Sequence, residues 1–314
     1  MAEPLIEKLC VIGAGHIGSS ILRAVNERGL ARTISVSDAS EAVCERIIEL
    51  GLADEVATDP KLAAGGCDLV ILCVPVGQMG AVTAGIAPHL KEGAILSDVG
   101  SVKAAVISAL APHLPPHAHL VPAHPVAGLE FSGPDSGVAR LFENRWCILT
   151  PPPGTAPQAI ERVSALWQAM GANIDVMTPE HHDLVLAITS HVPHLIAYNL
   201  VGTASDLETV TQKEVIKYSA GGFRDATRVA ASDPTMWRDI FLNNKDAVLE
   251  MLGRFSEDLT ALQRAIRWGD GDALFDLFTR TRHIRREVIE AGQAGLPPPD
   301  TPNGPPRRAP KKRG

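Results

Sequence analysis

The densest chemical signal in the chain is Gly13-Ala14-Gly15-His16-Ile17-Gly18, set directly after an apolar run at residues 8–12. In a turn from strand to helix, the first glycine permits the tight bend. The second lets the backbone approach a pyrophosphate, and the third lets helix and strand pack closely. The N–H groups that open the helix, at His16 and Ile17, then point at the phosphates. Asp38 stands 20 residues beyond Gly18, where a carboxylate accepts hydrogen bonds from an adenosine ribose. Ala39, Ser40 and Glu41 follow it and bring no guanidinium for a 2′-phosphate, so the pattern favours NAD over NADP.

A dinucleotide site of this kind lies beyond the carboxyl ends of parallel strands, which directs the search for reactive groups to the segments that follow apolar runs. Val74-Pro75-Val76-Gly77 holds no acid, base or nucleophile and reads as a wall on the adenosine side. Asp98-Val99-Gly100-Ser101-Val102-Lys103 offers Ser101, either a helix N-cap with Lys103 in solvent or a polar bridge to a substrate. In Ala123-His124-Pro125-Val126-Ala127-Gly128, His124 enters a Pro/Gly turn, where a fixed imidazole can take a substrate proton; a core or solvated histidine is the alternative. His181, His182, Asp183, His191 and His194 crowd one helical pattern further on. HExxH, CxxC and a clear third ligand are missing, so the pattern predicts no metal centre. His191 lies on the apolar face and reads as a pocket donor or a satisfied core histidine. Arg224 and Arg228 stand four residues apart in GGFRDATR. On a helix they share a face and make a fork for a carboxylate, or else they pair with Asp225 or Asp239 on the surface.

These residues need two kinds of frame. Runs at 8–12, 33–37, 69–74, 94–97, 120–122, 146–149 and 174–177 alternate with helical patterns and lack a polar face. That predicts an α/β domain with a Rossmann-type doubly wound sheet. After Thr178, an N-cap candidate followed by Pro179, long helical patterns predict an all-α second domain, with helices near 234–242, 245–268 and 273–291. Leu184, Ile188, His191 and Leu195 form its expected buried stripe, with a kink at Pro193. The division expected is 1–178 for the nucleotide, 179–292 for substrate and dimerisation, and 293–314 as a disordered basic tail.

A length of 314 residues suits two domains, and 45 % hydrophobic with 21 % charged residues excludes global disorder. The net charge of −7 includes five cations among the last eight residues, so the rest of the chain is more acidic still. Nucleic acid is therefore not an expected partner. No uninterrupted apolar run nears the ~20 residues of a membrane span, and the N-terminus lacks a leader pattern. Five scattered cysteines fit a reduced cytoplasm.

The ordered blocks GAGHIGSS, DVGSVK, AHPVAG, the helix carrying His181 to His194, GGFRDATR and ASDPTMWRDI resemble the prephenate/arogenate dehydrogenase family, nearest to the cyclohexadienyl dehydrogenases of tyrosine biosynthesis. The resemblance runs from residue 8 to about 290. It implies a nucleotide-binding domain, a helical domain that forms a homodimer, and oxidative decarboxylation of prephenate and/or arogenate with hydride transfer to NAD. By the same resemblance His124 takes the ring hydroxyl proton and Ser101 stands near that hydroxyl and the nicotinamide. His191 and Arg228 bind the substrate, Arg228 at the ring carboxylate, and Arg224 is a basic position in the same loop. Val74, Pro75 and Ser101 join Gly13, Gly15, His16, Ile17, Gly18 and Asp38 around the cofactor. Leu129 and Phe131 stand where the family commonly has polar residues, which bears on the choice between a keto-acid and an amino-acid side chain. A β-hydroxyacid dehydrogenase would instead use an interdomain lysine, and none lies between Lys103 and Lys213. A nucleotide-sensing protein without chemistry would leave His124 idle.

Overall fold

The computed structural model describes residues 3–128, 132–206, 214 and 217–290; Leu129, Phe131 and the 293–314 tail lie outside them. The chain divides into two compact units, Met1–Asp258 and Leu259–Gly314.

In the first unit, β1 (Ile6–Ile12), β2 (Ala31–Ser37), β3 (Glu55–Ala57), β4 (Leu69–Leu72), β5 (Ile95–Asp98) and β6 (His119–Leu120) form a parallel sheet in the order β3-β2-β1-β4-β5-β6. Its crossovers include α1 (His16–Arg28), α2 (Glu41–Glu49), α3 (Pro60–Ala64), α4 (Val76–Ile86) and α5 (Ala104–Leu110). Alternate residues of β1 feed different cores, which is why its sequence shows no polar face. Leu9 and Val11 pack with Ile21, Leu22 and Val25 of α1. Cys10 and Ile12 pack with Met79 and Ile86 of α4. The chain changes winding direction between β1 and β4, and this switch point opens a crevice at their carboxyl ends.

A second sheet holds β7 (Ala123–Pro125), β8 (Trp146–Leu149) and β9 (Asn173–Val176), with β7 antiparallel to β8 and β9 parallel to it. Of the expected strand at 120–122 only Leu120 lies in a strand, at the end of β6; β7 begins at Ala123, so His124 sits in a strand rather than in a turn. Pro125 is tolerated there because β7 is an edge strand. The helix α6 (Pro157–Ala169) connects β8 to β9 and buries Val163, Leu166 and Trp167.

Beyond β9 the described chain is helical: α7 (Pro179–Leu186), α8 (Val192–Ser205), α9 (Gly221–Thr227), α10 (Pro234–Asn243), α11 (Lys245–Trp268) and α12 (Gly271–Glu290). Thr178 caps α7 by accepting the N–H of His181. Between α7 and α8, Ala187–His191 winds as a π turn. The extra residue rotates the buried face, so His182, Leu186 and His191 are buried at spacings of four and then five, while Ile188 is 46 % exposed. The expected stripe through Ile188 fails for this reason, and π insertions of this kind recur at functional sites. Pro193 falls in the first turn of α8, where its missing N–H is harmless.

By length and composition the 27-residue stretch Pro179–Ser205 passes for a membrane span, a point that a count of uninterrupted apolar runs misses. Its buried His182, Asp183 and His191 hydrogen-bond to other elements of the fold, as in a core helix. The α10 residues Trp237 and Ile240 insert into the core beside α4 and α5. The described part of the second unit, the end of α11 and all of α12, exposes Ile266, Phe275, Phe278 and Ile284.

Candidate active site

The glycine turn separates its own packing needs from those of a ligand. Gly13 adopts φ +95°, and a Cβ there would lie 2.6 Å from the Cys73 carbonyl oxygen; one on Gly18 would lie 2.0 Å from the Gly13 oxygen. Those two positions are glycine because β1, α1 and the end of β4 pack so closely. Gly15 has an ordinary φ of −69°, and a Cβ there would meet no heavy atom within 4 Å. Packing therefore does not demand glycine at Gly15, and the bare backbone of this N-cap leaves an opening that a pyrophosphate fits. No side chain caps α1 and its first turn holds no acid, so the N–H groups at His16 and Ile17 are available to an anion. His16 is anchored by Nδ1 against the Ser136 carbonyl at 2.9 Å. Asp38 follows β2, and its Oδ2 accepts the N–H of Ala14 at 2.9 Å while Oδ1 accepts that of Ser40 at 2.9 Å. Spare lone pairs on this half-buried carboxylate suit ribose hydroxyls. Val74 borders the same turn, 3.1 Å from a Cβ built on Gly13, and Pro75 follows as the N-cap of α4.

His124, 8 % exposed, faces the helical half. Its Nδ1 lies 2.8 Å from Nε2 of His182, whose Nδ1 lies 2.8 Å from Oδ1 of Asp183. Asp183 accepts the N–H of Lys103 at 2.7 Å and of Ala104 at 2.9 Å, so this carboxylate from α7 caps α5 in place of Ser101. Lys103 is fully buried, not solvated. Its ammonium donates to Asp98 at 2.5 Å and to the Ala123 carbonyl at 2.7 Å, which holds the backbone beside His124. Burial lowers the Lys103 pKa and the charge of Asp98 opposes that fall. Burial, with the Lys103 charge and the neighbouring His182 and His191 rings, which resist a further proton, adding to it, holds His124 well below the ordinary imidazole range. A ring kept neutral in this way can accept a proton near pH 7.

His191 lies in the same group. Its Nδ1 accepts from the Asn244 side-chain amide at 3.1 Å, and that amide also donates to the Asp183 carbonyl at 2.8 Å. Its Nε2 is buried without a hydrogen-bond partner among the described residues. Burial brings its pKa down to about 4, with Asp183 and the nearby Ser101 backbone opposing. Ser101 itself is half-buried in the loop between β5 and α5. Trp237 stacks on His194 with ring centres 3.6 Å apart and stands edge-on to His191. Arg224 and Arg228 do not share one regular helix, because α9 ends at Thr227 and Arg228 opens a 3₁₀ turn. Arg224 pairs with Asp225 in solvent at 3.1 Å. Arg228 lies near His194, whose pKa falls through burial and, to a lesser degree, through that guanidinium.

The structure thus joins His124, Ser101 and His191, brings Arg228 to the His194–Trp237 side, and leaves Arg224 at the surface. It adds four residues that the sequence reading does not place. His182 and Asp183 enter that reading only in a metal centre that it rejects, Asp98 only as the first residue of the Ser101 segment with no role of its own, and Asn244 not at all. Asp98 carries a legible signal, since a carboxylate closing a fully buried strand needs a buried cation and Lys103 follows five residues later.

Family models describe the chain in two consecutive pieces. Residues 21–176 match the prephenate dehydrogenase nucleotide-binding domain, and residues 178–280 the prephenate dehydrogenase dimerization domain. The cyclohexadienyl dehydrogenase of Zymomonas mobilis subsp. mobilis is 46 % identical over 281 residues, which span 90 % of this chain and 96 % of that protein. The prephenate dehydrogenase of Bacillus subtilis is 32 % identical, over 93 % of this chain and 78 % of its own. Among solved structures, the prephenate dehydrogenase from A. aeolicus in complex with hydroxyphenyl propionate and NAD+ aligns with a TM-score of 0.84 at 30 % identity, covering 92 % of this chain and 99 % of that one. With both domain models matched in order and relatives similar along nearly the whole length, the chain belongs to the prephenate dehydrogenase family.

Proposed function

We propose that this chain is an NAD-dependent dehydrogenase that oxidatively decarboxylates prephenate, arogenate or both, giving 4-hydroxyphenylpyruvate or tyrosine. The observation that carries this reading is His124, a buried uncharged imidazole just beyond the strands that hold the dinucleotide turn. The relatives supply the substrate class: one is a cyclohexadienyl dehydrogenase, and the A. aeolicus structure holds NAD+ with a hydroxyphenyl acid.

NAD, when bound, accepts the hydride of the carbinol carbon. His124 takes the ring hydroxyl proton, which pushes electron density toward the departing hydrogen. The bond from ring to carboxylate carbon then breaks, its electron pair completes the aromatic ring, and CO₂ leaves; the phenolate oxygen regains the proton from His124. Ser101 orients the hydroxyl, and the unpartnered Nε2 of His191 donates to a substrate oxygen. Arg228 pairs with the ring carboxylate, and Arg224 adds positive charge to its loop.

In this reading residues 1–178 bind the nucleotide, 179–292 the substrate and a second copy of the chain, and 293–314 form a basic tail. The exposed apolar side chains of α11 and α12, Trp268, Phe275 and Phe278 among them, support a homodimer; sedimentation as a monomer at micromolar concentration contradicts it. Five unpaired cysteines support a cytoplasmic location.

The test is reduced-nicotinamide formation from prephenate or arogenate with NAD or NADP in all combinations. Turnover with NAD and at least one substrate is expected. No turnover with either substrate overturns the function, and equal efficiency with NADP overturns the part given to Asp38.

A further inference from the structure

We propose that His182 and Asp183 are positioning residues that decide which ring nitrogen of His124 carries its proton. The proposal rests on His124 as the base and adds what makes it one. A neutral imidazole has one N–H, and the partner of one nitrogen fixes the state of the other. Both oxygens of Asp183 already accept backbone N–H groups, from Lys103 and Ala104. Toward His182 this carboxylate is therefore an acceptor again, and the His182 nitrogen 2.8 Å from it, Nδ1, carries that ring's proton. Burial keeps His182 neutral, with Asp183 opposing, so its Nε2 is bare.

Nδ1 of His124 lies 2.8 Å from that bare nitrogen and must donate to it. Nε2 of His124 is then left unprotonated, with a lone pair for a substrate hydroxyl. Free neutral imidazole in histidine favours the opposite form, with the proton on Nε2, which would present a donor where the reaction needs an acceptor. The chain of one carboxylate and two rings removes that choice. In the reaction the hydroxyl proton moves to Nε2 of His124, and the positive charge on the ring strengthens its Nδ1–H bond to His182, with Asp183 behind. When the phenolate oxygen takes the proton back, the chain returns to its starting form with no atom or electron lost.

The charged and titratable groups that face His124 come from several elements: His182 and Asp183 of α7, His191 of the π turn, Lys103 before α5 with its partner Asp98, and Cys147 of β8. Only His182 is within hydrogen-bond distance of the His124 ring among the described residues.

Imidazole ¹⁵N NMR of the full-length protein reads the proton position directly. The expected spectrum has His124 protonated at Nδ1 and bare at Nε2. His182→Leu removes the acceptor, and its kcat should fall about 10- to 100-fold, as when a metal-holding histidine loses the partner that orients it, with KM little changed. His182→Gln places an amide oxygen near the old Nε2 and should recover most of the turnover, a rescue that a merely space-filling role would not produce. A His124 proton on Nε2 in the wild type, or wild-type kcat in folded His182→Leu, overturns the proposal. If His182→Leu fails to fold, the wild-type spectrum and His182→Gln still decide. His124→Asn separates the two claims: wild-type turnover there, with the His124 proton found on Nδ1, faults the base and leaves the tautomer assignment standing.

Discussion

An imidazole is a base only while it is uncharged, and at His124 burial supplies that condition before any neighbour does. Because its pKa is depressed, the base form persists below the ordinary imidazole value of about 6.5. Arg228 belongs to a different part of the free-energy profile. In the proposed reading it holds a carboxylate present in the substrate and lost from the product, so Arg228→Ala should raise KM roughly 10- to 100-fold, about one charge-assisted pair, with kcat nearly kept. A fall in kcat at unchanged KM would move Arg228 out of substrate binding. The glycines and Asp38 are legible from type and spacing because their chemistry is local to one turn. His182 and Asp183 are not, since their partners lie 58 and 80 residues away along the chain, and no local pattern announces such a pairing.

At the scale of elements, β5, α5 and α7 meet through one buried set of charges. Lys103 and Asp98 are fully buried together, and removing one partner leaves the other unpaired in the core. Lys103→Met should therefore lower the free energy of unfolding by about 3–5 kcal/mol, read from the urea midpoint. An unchanged midpoint would show that the pair contributes nothing. The long elements are readable in sequence: α11 lies at Lys245–Trp268 as its pattern predicts, and the Thr178-Pro179 signal opens α7. The short ones are not. The edge strand β3 has three residues with exposed or half-buried side chains, and β7 has three that include a proline. Pairing with neighbours makes them strands, against their own propensity. The π turn is equally hidden, because one inserted residue leaves composition unchanged while shifting Ile188 into solvent.

For the whole molecule, the design concentrates neutral histidines where the two sheets meet the helices. Burial is the first cause of the lowered pKa values of His16, His124, His182, His191 and His194. Once unfolded, the same residues titrate near 6.5. Above that pH both states leave them neutral and stability is full. As pH falls from about 6.5 toward the value of about 4 reached by His191, the unfolded chain binds protons that the folded one refuses, and stability declines. Tm should drop between pH 7 and 5, and a flat or rising Tm across that window would contradict the buried neutral cluster. The most direct measurement is the turnover of folded His124→Asn alongside its substrate affinity: turnover should fall roughly 10²–10⁴-fold while binding persists, and near-wild-type turnover would contradict His124 as the base.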